Sequence, residues 1–268
     1  MFWSRARRRE KVKARAFPEA WEKILAEFVP YYRYLPEGDR AELRGHVQVL
    51  VAEKNFEGCG GLAMTDEIKV TVAGYASILL LHREAAYYPR LSSILVYPDA
   101  FVARAKKPKS IVGRMDMMDA MDFVDEDDGA VRDGESWETG AIVLAWKPIV
   151  EASTDPASAL NVALHEFAHQ LDLDNGEMDG VPALESDAAH EEWVRVIGGE
   201  YDALCDEVDR GRETWLDAYG AEHPAEFFAV LTEAFFMRPH TLQRKHGDVY
   251  AVLREYYKQD PAAVLPKA

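Results

Sequence analysis

The chain has 268 residues, 48% apolar and 29% charged, a composition that suits a soluble globular protein with a sizeable core. Its formal net charge is −16, yet the first 15 residues alone carry seven basic side chains against Glu10, so the rest stands near −22. A body that acidic repels phosphate backbones, which argues against nucleic acid as a partner.

Residues 1–16 hold the basic cluster (Arg5, Arg7, Arg8, Arg9, Lys11, Lys13, Arg15). No apolar stretch follows, so a secretory leader is not expected; a flexible solvated arm is expected, with a weak membrane or partner contact as the alternative. From Phe17 to Pro30 the apolar residues Trp21, Ile24, Leu25 and Phe28 fall on one helical stripe, and Arg40–Lys54 repeats the pattern. Gly58-Cys59-Gly60-Gly61 breaks the chain, and Cys59 reads as a turn or buried cysteine rather than a nucleophile. Thr65 followed by Asp66 and Glu67 predicts an N-cap and a helix to about Leu81. Its apolar run, Val70–Leu81, is too short to span a bilayer, so no membrane segment is expected. With only Cys59 and Cys205 available, a disulfide framework is not expected and a reducing cytoplasm is the expected compartment.

Ser93–Tyr97 predicts a strand. The segment 116–138 carries ten acidic residues and one arginine, Arg132, and predicts a solvated loop. Gly140–Trp146 predicts a second strand, closed by Lys147-Pro148. Ser153-Thr154-Asp155-Pro156 has the form of a helix start, ahead of a buried helix bearing Leu160, Leu164, Phe167 and Leu171. Asp172–Gly176 lacks the spacing of a calcium loop and reads as a helix-ending turn. These elements predict a single α+β domain over 17–258, mostly helical, with a small sheet beside the central helix. A C-terminal tail at 259–268 and a monomeric state are expected.

The central helix contains His165-Glu166-Phe167-Ala168-His169. Histidines four residues apart share a helix face and can bind one metal ion, and the intervening Glu166 can reach a water on that ion. A tetrahedral catalytic zinc wants one more protein ligand and leaves one position for water. Downstream candidates are His190, Glu191, Glu192, His223, Glu226, Glu233, His240 and His246. Pro224 predicts a second helix whose aromatic and aliphatic residues make it largely buried, with Glu226 and Glu233 two turns apart on one side. A buried carboxylate needs a partner, so Glu226 is assigned as third ligand and Glu233 as acceptor of a ligand histidine's outer N–H. The competing placement leaves both glutamates on a solvated face.

His165–Asp172, then Asp179-Gly180-Val181-Pro182, then Tyr219-Gly220-Ala221, Pro224-Ala225-Glu226 and Glu233 ahead of Phe235-Phe236, together resemble the Mlc titration factor A family over roughly residues 17–258. The resemblance implies a cytoplasmic zinc peptidase with a zincin-like core related to that of anthrax lethal factor, and aminopeptidase-type activity. It implies zinc, one ion per chain, on His165, His169 and Glu226, base catalysis by Glu166 and an active-site hydroxyl on Tyr219. It also implies binding to Mlc, a repressor of glucose-uptake genes of the phosphotransferase system. Val230 stands four residues after Glu226, where some glutamate-ligand relatives carry a second carboxylate. The basic arm and the acidic 116–138 segment fall outside the resemblance.

On this reading Glu166 takes a proton from zinc-activated water as it attacks a peptide carbonyl and passes it to the leaving amine, while Tyr219 donates to the developing oxyanion. Strand Ile142–Trp146 is a candidate edge for an extended peptide, and a C-terminal helix around Val249–Tyr257 is a candidate cover for the cleft. The rival class is a non-catalytic zinc-containing binding protein that sequesters a transcriptional regulator. A purely structural metal has no need of Glu166, which favours the enzyme.

Overall fold

A computed structural model describes residues 2–99, 140–154 and 160–267. The acidic segment 116–138 and Asp155-Pro156 lie outside the described residues. In chain order the helices are α1 (Phe2–Lys13), α2 (Glu19–Phe28), α3 (Glu37–Glu53) and α4 (Asp66–Ile78), with strand β1 (Asn55–Gly58) between the last two. Strands β2 (Ser93–Tyr97) and β3 (Ala141–Ala145) come next, then α5 (Trp146–Thr154) and α6 (Val162–Asp172). The remainder is helical: α7 (Asp187–Trp193), α8 (Gly199–Asp209), α9 (Pro224–Met237), α10 (Pro239–Lys245), α11 (Gly247–Tyr257) and α12 (Pro261–Val264). The described residues are mostly helical with one small sheet, as the patterning predicts. No helix among the described residues is long and apolar enough to cross a membrane.

The three strands are parallel in the order β1-β2-β3, with Asn55 opposite Ser93 and Ser93 opposite Ala141. Ile94, Val96, Ile142 and Leu144 are buried while their neighbours in β2 and β3 are half-buried, the alternation of a sheet with one face in the core. Parallel strands need long crossovers, and α4 supplies the one between β1 and β2. Thr65 caps α4 by accepting from Ile68 N–H at 3.3 Å. Gly74 lets α2 approach it closely, since a Cβ there would lie 2.8 Å from Leu25 and 2.9 Å from Val29. Against this frame α6 is held by α4, β3 and α9. Every residue from Ala163 to Asp172 is buried.

Several expectations change. The basic segment, expected as a flexible arm, is helix α1. Arg9 donates to both carboxylate oxygens of Glu53 at 3.0 and 2.8 Å and lies 4.4 Å from the centre of the Tyr87 ring. Ser153 and Thr154 end α5, their hydroxyls returning to carbonyls of Val150 and Glu151. They do not cap the motif helix, which begins at Val162 with Asn161 as its cap. Pro148 sits in the first turn of α5 instead of closing a strand.

The C-terminal helix is no cover for the motif. Tyr257 of α11 bonds Thr232 Oγ1 at 2.7 Å and stacks on Phe235. At 100° per residue, Phe228 and Phe235, which α11 meets through Tyr256 and Tyr257, lie on the side of α9 opposite Glu226 and Glu233.

Candidate metal centre

Two helices build the site. At the start of α6, Asn161 is extended (φ −146°, ψ 98°), and its Oδ1 accepts from Leu164 N–H at 3.0 Å. One turn separates His165 from His169, whose rings are 4.8 Å apart at 79°. At the start of α9, His223 accepts from Ala225 N–H at 3.2 Å and Pro224 occupies the first turn. Glu226 follows in that first turn, where the helix dipole favours a carboxylate.

Packing α9 on α6 brings three electron-pair atoms together. Glu226 Oε2 is 3.0 Å from His165 Nε2 and 3.3 Å from His169 Nε2, and the two nitrogens are 3.1 Å apart. These three residues form the only candidate metal-binding group among the described residues. Atoms at zinc-ligand distances in a tetrahedron lie about 3.3–3.6 Å from one another, so the triangle is close to the required size. The tautomer agrees. His165 Nδ1 lies 2.8 Å from Glu233 Oε1 and donates to it, which in the neutral ring leaves Nε2 as a lone pair aimed at Glu226. Acceptors that close repel unless a proton or a metal ion sits among them, and two imidazole nitrogens with one carboxylate oxygen suit zinc.

With no cation among the donors the carboxylates instead favour a second proton on His165, which a metal ion would displace. Burial alone disfavours a charged His165, but its bonds to Glu226 and Glu233 override this and raise its pKa to about 10. Burial dominates at His169 and lowers its pKa. Glu226 is opposed by burial as well, yet the two histidines hold it well below the usual carboxylate range. Glu166 is 1% exposed, and its Oε2 has no hydrogen-bond partner among the described residues. Burial pushes its pKa up to about 8, and the charges of Glu226 and Glu233 add to the rise. A cation between the three donors would offset that penalty and keep Glu166 ionised.

Glu233 is 3% exposed and does two things at once. Oε1 accepts from His165 Nδ1–H, while Oε2 accepts from the N–H of Asn161 at 2.6 Å. Asn161 therefore belongs to the site's support, although the sequence reading passed over it. Its signal was there, a cap-type residue just ahead of the motif helix. The Asp179–Pro182 stretch also acquires a structural role. Gly180 N–H donates to Asp172 Oδ2 at 2.9 Å, and Gly180 carbonyl accepts from Trp193 Nε1 at 2.9 Å. With φ +78°, Gly180 lies so close to α9 that a Cβ would stand 2.4 Å from Pro224 carbonyl. This turn braces the end of α6 against the beginning of α9.

Tyr219 lies on a 3-10 turn (Ala218–Ala221) that Asp217 starts by accepting Tyr219 N–H at 3.1 Å. Its ring centre is 6.3 Å from that of His165. The other downstream candidates lie elsewhere. His190 is exposed, His240 meets Leu265 carbonyl at 3.0 Å, and His246 meets Glu200 at 2.8 Å.

Comparison with known proteins supplies a family match. Residues 3–258 match the family described as glucose-regulated metallo-peptidase M90, a span that includes the basic helix and the acidic segment placed outside the resemblance above. An uncharacterized protein (slr2042) of Synechocystis sp. is 38% identical over 95% of this chain and 89% of its own. Proteins named Mlc titration factor A from Yersinia pestis and Yersinia pseudotuberculosis are 31% identical over 92% of this chain and 87% of theirs.

Proposed function

The chain belongs to the glucose-regulated metallo-peptidase family M90, and from that premise we propose that it is a zinc-dependent peptidase with a zincin-like core. One zinc ion is held by His165, His169 and Glu226. The observation that carries this reading is the triangle of His165 Nε2, His169 Nε2 and Glu226 Oε2, 3.0–3.3 Å on a side, with the buried carboxylate of Glu166 beside it.

Zinc when bound supplies an acidified water and polarises a carbonyl. Glu166 takes the water's proton as it attacks the peptide carbonyl, then delivers it to the leaving amine. Glu233 keeps the His165 proton on Nδ1, so that Nε2 stays a ligand. Tyr219 donates its hydroxyl proton in a hydrogen bond to the oxygen that gains charge. β3, an outer strand among the described residues, offers backbone groups beside α6 to an extended substrate. Aminopeptidase-type cleavage and a cytoplasmic location are the finer parts of this reading, supported by the family resemblance and, for location, by two free cysteines.

Zinc content by elemental analysis, with hydrolysis of aminoacyl anilides and their N-blocked forms, tests it. Stoichiometric zinc and chelator-sensitive cleavage of the unblocked substrates is the expected result; absence of zinc from a folded protein defeats it. The relatives' name, Mlc titration factor A, supports a second reading in which the chain binds the repressor Mlc. Mlc capture that survives chelation, with no peptide cut, favours that reading alone.

A further inference from the structure

Helix α1 concentrates positive charge on a chain that is otherwise strongly acidic, and the metal centre makes no use of it. Arg5, Arg9, Val12 and Lys13 recur at helical spacing and face the body. Val12 is buried, Arg5 and Arg9 reach Glu53 at 3.2 and 2.8 Å, and a Cβ on Gly45 of α3 would lie 3.4 Å from Lys13 Cγ. At 100° per residue this puts Arg7 and Lys11 on the opposite side of the helix, with Arg8 flanking them. All three are exposed, as is Arg15 just past the helix end. Arg8, Lys11 and Arg15 have no ion-pair partner among the described residues, and Glu10, the one acid of the segment, is taken up by Lys13 at 3.6 Å. A cleft of about 290 Å³ between α1 and α3 lies alongside, lined by Val12, Val49 and Ala52 together with Arg5, Arg8 and Glu53. The clamp of Arg9 on Glu53 and Tyr87 holds this outer face in place, so presenting it costs no further ordering of the chain.

We propose that α1 is a peripheral docking surface that holds the protein reversibly on an anionic phospholipid membrane, through Arg7, Arg8, Lys11 and Arg15. The inference is independent of the peptidase reading. Charge complementarity carries it: each Lys or Arg at an anionic bilayer surface contributes about fivefold in affinity, and four together contribute on the order of several hundredfold. The acidic body does not cancel this. With side chains a helix is about 10 Å across, more than the Debye length of about 8 Å at physiological ionic strength, so acids behind α1 are largely screened from the surface it touches. The residue types in the first turn of α1, Phe2 and Trp3, favour the boundary between headgroups and acyl chains. A nucleic-acid duplex or an acidic protein offers no such layer.

The test is co-sedimentation of the full-length protein with vesicles of phosphatidylcholine alone or mixed with phosphatidylglycerol, at low and at high salt. Binding to the mixed vesicles at low salt is expected to exceed binding to the neutral ones about hundredfold or more, and to be lost at high salt. The triple variant Arg7→Gln, Arg8→Gln, Lys11→Gln should bind the mixed vesicles about a hundredfold more weakly. Lys23→Gln, Arg195→Gln, Arg210→Gln removes the same charge from other exposed sites and should change binding by about twofold or less. Melting curves check that both variants fold. Equal binding to neutral and anionic vesicles, binding to neither, or equal loss in the two triple variants overturns the proposal. Tighter binding to polyglutamate or to duplex DNA than to the anionic vesicles assigns α1 to another class of partner and overturns it as well.

Discussion

Replacing Glu233 by glutamine changes almost no volume and removes one acceptor from a carboxylate that serves two donors. In the native chain Oε1 faces His165 Nδ1–H at 2.8 Å and Oε2 faces Asn161 N–H at 2.6 Å, with the side chain 3% exposed. An amide has one carbonyl oxygen, so its NH2 must confront one of these N–H groups. If it confronts Asn161, a buried backbone donor at the helix start loses its acceptor. If it confronts His165, the ring avoids the clash only by moving its proton to Nε2, which ends its service as a ligand. A stranded buried donor costs about 1–3 kcal/mol, and the lost charge-assisted bond adds to that. Glu233→Gln should therefore destabilise the protein by about 2–4 kcal/mol, lowering Tm by roughly 5–12 °C for a chain of this size. Zinc affinity should fall about 10–100-fold. The assays are thermal melting of the chelated protein and zinc competition against a chromophoric chelator. Thr232→Val is the control, because Thr232, about 100° from Glu233 around α9, bonds Tyr257 and not a metal donor; it should lower Tm and leave zinc affinity alone. A Glu233→Gln protein with wild-type zinc affinity and an unchanged melt would refute the coupling of helix start to ligand.

Glu166→Gln should retain stoichiometric zinc while hydrolysis falls about 10²–10⁴-fold; unchanged turnover defeats the assignment of the base. Gly180→Ala should destabilise by about 2 kcal/mol or more, seen in urea unfolding, because it combines a φ of +78° with a Cβ 2.4 Å from Pro224 carbonyl. Burial raises the pKa of Asp172 to about 7. A raised folded-state value means that its contribution to stability is complete below the unfolded value and is lost as pH climbs through about 7. Asp172→Asn can still accept from Gly180, so its Tm advantage over wild type should grow from pH 4 to pH 8, with a ceiling of about 4 kcal/mol; a constant difference across that range contradicts this. Removing zinc should lower Tm, since zinc at a hundredfold excess over its Kd stabilises by about 2.7 kcal/mol.

The site was more legible than its surroundings. His165 and His169 are local to one helix, and Pro224 with the aromatic run after it marks α9 as buried, so Glu226 and Glu233 stand out as buried carboxylates that need partners. Asn161 was harder. Ser153–Pro156 carries the same start signals, and what distinguishes Asn161 is its bond to Glu233, 72 residues away. The basic segment shows the same limit. Composition describes a solvated arm, whereas Arg9 meeting Glu53 and Tyr87 makes it a packed helix. β1 has no β-branched residue and exists because β2 offers it hydrogen-bonding partners.

The donors of the metal triangle are 61 residues apart in the chain. At 5–20 residues per second, a ribosome releases Glu226 about 3–12 s after His165. Through that interval the histidine pair exists without its third donor and without Glu233 to fix its tautomer. On the zinc-peptidase reading proposed above, the nascent chain is then a poor competitor for zinc and inert as a catalyst. On that reading both properties arrive together when α9 docks on α6, so metal acquisition would report on the completion of folding.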